Sequence, residues 1–224
     1  MNLASHSMSH DPFASGVLHP EVHDRLVKNV YAISQRAGLG PAYASLIWTK
    51  PETLNGGEEE FVRRVVMHRR YNTAWSFSHA GLAYGRAKTE NKAAILQTDK
   101  ETIHTLREMT AKLVRNFVDA RMLSPAEIGS MIENEEDLEA SVLIVRDLML
   151  PEEWPPLGEK VKFFSKQQRL QLDTLPRLLI DRANKGMPTV VHVRSPVQVI
   201  ATYMPSLLEL FHSSFICFYD LKKA

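Results

Sequence analysis

A single cysteine, Cys217, among 224 residues excludes an internal disulfide and any cysteine-based zinc site. A reducing compartment is the simpler home for such a chain. Net charge is equally scarce: 27 Lys and Arg against 26 Asp and Glu leave +1, which argues against a dedicated nucleic-acid coat, since such proteins are strongly basic overall. No run approaches the roughly 18 apolar residues of a membrane-spanning helix. The opening "MNLASHSMSHDPFASG" has neither a basic start nor an apolar centre, so it is not read as a secretory signal. A soluble, cytoplasmic protein is expected.

Recognisable catalytic punctuation is missing too. Gly38-Leu39-Gly40 follows a helical pattern instead of a strand, and Tyr43 stands where a dinucleotide fingerprint needs its third glycine. There is no Walker A run and no Gly-x-Ser-x-Gly elbow. His19 and His23 are four apart, and "HPEVH" holds a His-x-Glu element, but the Cys-x-x-Cys partner of the zinc deaminases is absent. A nucleophilic Cys217 paired with His192 or His212 is disfavoured by the apolar setting "SSFICFYD". No metal and no cofactor is expected.

What the chain has is the composition of a globular protein, 44% hydrophobic and 24% charged. The reading is mainly α: a multi-helix globular domain with a small β-hairpin-like element near the C-terminus. Residues 1–18 form a flexible tail, 19–150 a helical domain, 151–160 a Pro-rich linker, and 161–224 helices plus a short β element packed on the helical domain.

Helices are expected from Pro20 to about Ala37 and from after Gly57 through Tyr84. A third has a Thr98–Glu101 capping box, and a short one opens on "SPAE" with Ser124 as cap. "DLEASVLIVRDLML", apolar nearly all round, reads as a further, central helix. Two helical pieces, Phe163–Leu172 and Leu175–Lys185, precede Gly186, a suitable stop. "TVVHV" and "VQVIATY" alternate with period two and read as strands. Leu207–Phe218 begins as a helix.

Two charged stretches stand out. From Phe61 to Lys92 there are seven Arg or Lys against Glu90; from Glu127 to Glu139 there are six acids and no base. They can complement each other inside the fold, or simply solvate their helices. The acidic one resembles the outline of a helix-turn-helix, but carboxylates at the start of its second helix would repel phosphates. In the basic one, Arg63, Arg64 and Arg70 with Tyr71 and Trp75 combine the side chains that most often anchor protein interfaces. The functional expectation is a non-enzymatic accessory or regulatory protein that binds a partner protein through these five residues. Weak nucleic-acid binding through residues 61–92 is the alternative, and an enzyme whose site leaves no local motif is the third. A homo-oligomer is compatible with all three.

Overall fold

The computed structural model describes residues 20–54, 56–71, 81–84, 92–150, 154–155, 163–195 and 197–217. Helices dominate these residues, in keeping with the mainly α expectation. Among the described residues no helix is long and apolar enough to cross a membrane.

Helix α1 (Pro20–Arg36), a 3-10 turn (Pro41–Ile47) and α2 (Gly56–Tyr71) precede the first strand. Glu58 and Glu59 occupy the first turn of α2, where the positive end of the helix dipole favours carboxylates. Phe61, Val62, Val65 and Val66 form its buried stripe, at the i, i+3, i+4 spacing of an amphipathic helix. There follow β1 (Gly81–Tyr84), α3 (Lys92–Arg115), β2 (Ala120–Leu123), α4 (Pro125–Glu133) and β3 (Val142–Leu148). Beyond them come α5 (Lys166–Arg169), a π-helical stretch (Leu170–Thr174), α6 (Leu175–Asn184), β4 (Thr189–Val193), α7 (Val197–Tyr203), α8 (Pro205–Ser214) and β5 (Phe215–Cys217).

The five strands form one sheet in the order β2-β3-β4-β1-β5, and every pairing is parallel. The hairpin-like element expected near the C-terminus is therefore replaced by a parallel sheet that draws strands from both halves of the chain. "TVVHV" is indeed a strand, β4, but it pairs with β3 and β1.

Three elements differ from expectation for identifiable reasons. "VLIVRDL" is β3, not a helix: it is buried on both faces, so it shows no alternation, and its β-branched residues favour the extended form. "VQVIATY" is α7; Val199, Ile200 and Tyr203, spaced three and four apart, pack on the core. Gly81–Tyr84, expected to close the second helix, is β1, and α3 starts at Lys92, upstream of the expected Thr98 cap.

Other signals hold. Ser124 and Glu127 make the reciprocal capping box of α4, with Pro125 in its first turn. After α6, Gly186 takes a φ of 64°, and the Met187 amide donates to Arg182 O at 2.8 Å.

The two faces of the sheet carry separate cores. Val142, Ile144 and Val190 pack with α2 and α3 through Val62, Val66, Leu106, Met109 and Leu113. Leu143, Val145, Val191 and Val193 point the other way, into Ile128 of α4, Leu175 and Leu179 of α6, and Leu207 and Phe211 of α8. This alternation along β3 and β4 is that of a sheet covered by helices on both sides.

Candidate functional site at the carboxyl end of the sheet

The strand order fixes where chemistry is best placed. From β1 the chain runs through α3, over the first face, to β2 at one edge. From β4 it runs through α7 and α8, over the second face, to β5 at the other edge. Strands β1 and β4 are neighbours whose onward connections leave in opposite directions on opposite faces. That is the topological switch point, and the crevice outside the carboxyl ends of such strands is where open α/β sheets bind ligands.

Polar side chains of β3 and β4 gather beside it. The backbone of Tyr84, the last residue of β1, is in register with His192 of β4. On the other side of β4 the pairing to β3 shifts between Val145 and Leu148, a bulge that sets Arg146 and Asp147 beside His192. Asp147 has φ 58° and Met149 has φ 54°, the left-handed region that non-glycine residues avoid.

These conformations are held from several directions. The Asp147 amide donates to His192 Nδ1 at 3.4 Å, and the Arg194 amide donates to Leu148 O at 2.9 Å. The Met149 amide donates to buried Gln171 Oε1 at 3.0 Å, and the buried Ser195 hydroxyl donates to Met149 O at 2.5 Å. Strained backbone that its surroundings over-determine is concentrated at functional sites.

Asp147 is the hub. Arg146 Nη1 donates to its Oδ2 at 3.1 Å, and Arg194 Nη1 stands 3.8 Å from its Oδ1. His192 Nδ1 also lies 3.8 Å from Oδ1. Since Nδ1 accepts the Asp147 amide hydrogen it carries no proton of its own, so that approach is not an ion pair; the neutral ring keeps its hydrogen on Nε2. Arg146 reaches further, with Nη2 3.1 Å from Glu127 Oε2. Burial pushes the Glu127 carboxyl up, but the Ser124 amide and hydroxyl and Arg146 outweigh it and hold the group below its ordinary value. The side chains of Asp147, Arg194 and Arg146 keep 18%, 20% and 30% exposure, so the cluster is open to solvent. A groove of about 580 Å³ between α4 and residues 165–174 shares none of these residues.

The five residues expected to bind a partner lie elsewhere. Arg63 and Arg64 are exposed on α2, opposite its buried stripe, and both pair with Glu60. Arg70 and Tyr71 fall within α2, but their side chains lie outside the described residues, as does all of Trp75. The acidic stretch is paired near its own elements: Glu127 with Arg146, Glu133 with Lys166, and Asp137 with Arg121. Its helix-turn-helix outline ends at β3, a strand where a recognition helix would stand. Cys217 and His192 sit on β5 and β4 with β1 between them, two strand spacings or about 10 Å apart, too far for a nucleophile and its base.

Sequence reasoning weighed His192 only as a base for Cys217 and did not find Asp147 and Arg194. The available signal was weak: a polar residue directly after each of two apolar runs, "VLIVRD" and "VVHVR". Neither a scan against protein-family models nor a search of the curated proteins finds a match to this chain.

Proposed function

We propose that this chain binds a nucleotide through its phosphates, in the crevice outside the carboxyl ends of β1 and β4. The observation that carries the reading is that the Arg146–Asp147–Arg194 cluster, at the ends of β3 and β4, adjoins the topological switch point between β4 and β1. Guanidinium groups offer fork-shaped donor sets suited to phosphate oxygens, and these two are partly exposed around one anchored carboxylate. The bulge and the left-handed residues after β3 set their positions, the preorganisation that a phosphate site requires. Nucleotide binding is compatible with the regulatory, cytoplasmic role expected from the sequence, because a bound nucleotide can govern what a protein docks with.

The test is titration of the full chain with ATP, ADP and GTP by calorimetry, with thermal shift in parallel. Binding of at least one nucleotide, weakened about tenfold or more by Arg194→Gln, supports the reading. No heat and no shift with any of the three at millimolar concentration overturns it.

A second reading keeps the protein-partner function on α2. It is favoured by the exposure of Arg63 and Arg64, each paired with Glu60, on the face opposite Val62, Val65 and Val66.

A further inference from the structure

A strand-end carboxylate beside phosphates is a common way to hold a divalent cation, so the surroundings of Asp147 decide what form of nucleotide the cleft takes. Both of its oxygens are already engaged by cations: Oδ2 by Arg146 at 3.1 Å, and Oδ1 by Arg194 at 3.8 Å. Magnesium demands near-octahedral oxygen ligands at about 2.0–2.1 Å, and it would have to enter against two guanidinium charges, each within about 4 Å of the carboxylate it seeks. His192 Nδ1 is committed to the Asp147 amide. Glu127, another charged group beside the cluster, is held by Arg146 and by the amide and hydroxyl of Ser124 in the cap of α4.

The same contacts look different to a phosphate. Each arginine presents planar, partly exposed donors with a carboxylate among their partners, and phosphate oxygens match that geometry. Asp147 then acts as a stand-in anion: it keeps Arg146 and Arg194 aligned and gives way when phosphate arrives.

Resting on the nucleotide reading above, we infer that the cleft takes its nucleotide as the metal-free anion, by exchange of the Asp147 carboxylate for phosphate on Arg146 and Arg194. The exchange is non-covalent; no bond is made or broken and no proton need move. Asp147 is thus a competitor of the ligand, not a carrier of metal. The sign of its removal follows, because Asp147→Asn takes one carboxylate from Arg146 Nη1 and Arg194 Nη1 while Glu127 stays on Arg146 Nη2, and asparagine tolerates the left-handed backbone at this position.

The experiment measures the ATP dissociation constant of wild type and of Asp147→Asn, each in EDTA and in excess magnesium. Equal or weaker wild-type affinity in magnesium supports the inference, as does affinity of Asp147→Asn in EDTA about tenfold tighter than wild type. Binding at least about tenfold tighter with magnesium, a gain that Asp147→Asn abolishes, overturns the inference while leaving the nucleotide reading intact. Absence of binding in both buffers overturns the two together. Should Asp147→Asn lose its cooperative melt, the wild-type comparison between EDTA and magnesium decides alone.

Discussion

Arg182 of α6 reaches across to Thr189, the first residue of β4, where its Nε donates to Oγ1 at 3.1 Å inside the core. The fork continues to Ala140 O at 3.0 Å and Pro188 O at 3.1 Å, so one guanidinium ties together the entries of β3 and β4. Burial pushes this arginine down to about 10, against the opposing charge of Asp181. Lysine cannot satisfy three acceptors in this planar arrangement. Arg182→Lys should lower stability by about 1–3 kcal/mol, the cost of buried groups left without a partner. Denaturant unfolding checks it: an unchanged midpoint would mean the fork holds nothing.

Two glycines of the loop after α1 should respond differently. Gly38 has φ 73°, and a Cβ there would stand 2.0 Å from Met122 O, a backbone atom of edge strand β2. Gly40 has φ 72° but open space around it. Gly40→Ala should cost about 1–3 kcal/mol for the left-handed backbone alone. Gly38→Ala should cost clearly more, because β2 must also move. Equal melting temperatures for the two variants would contradict the close approach.

The anchoring of residues 48–53 predicts a pH response. Glu108, buried on α3, accepts the amides of Glu52 and Thr53 at 2.7 and 2.8 Å and the Thr53 hydroxyl at 2.7 Å. Burial raises its pKa, but these hydrogen bonds outweigh it and the net shift is downward. Its contribution is present above the ordinary carboxylate value near 4.5 and is lost as pH falls through the lower folded value. Glu108→Gln should therefore flatten the acid limb of the stability curve; a variant that keeps the wild-type slope below pH 4.5 refutes this assignment.

Lys112, one turn further along α3, should act at the opposite end of the scale. Burial, then Arg115, push it down to about 8, with Glu108 opposing and Lys50 adding slightly. The folded state thus gives up this proton more readily than the unfolded chain, and the cost of the charge is fully present below pH 8. Stability should rise between about 8 and the ordinary lysine value of 10.5. Thermal melts of wild type and Lys112→Met across that window test it, since other groups titrate alike in both.

On α2, Arg63→Gln with Arg64→Gln removes two exposed pairs to Glu60, worth less than about 1 kcal/mol each, so melting should barely change. If nucleotide affinity is also unchanged while capture of a partner protein is lost, the second functional reading gains. Retention of every measured binding activity would make Arg63 and Arg64 a solvated helix face.

Local signals in the sequence were read well where a side chain acts on its own backbone: the Ser124–Glu127 box and the Gly186 stop depend on neighbours within a few residues. Periodicity failed where burial hides it. Val142 to Val145 are all buried, so a two-sided strand and a central helix look the same. The candidate site was hidden for a different reason. Asp147 and His192 are 45 positions apart and meet only through the parallel register of β3 and β4, which no local window contains.

The strand order has a consequence for the birth of the protein. Strand β1, made by residue 84, lies between β4 and β5, and neither exists until residues 189–217 have been synthesised. An emerging chain therefore carries its first strand as an open ladder on both sides for more than a hundred residues. Such edges recruit other chains, and long-range parallel pairing is slow. Ribosomal pausing or truncation before β4 would expose a strand awaiting neighbours not yet made, so the last fifth of the chain serves as the latch for everything before it.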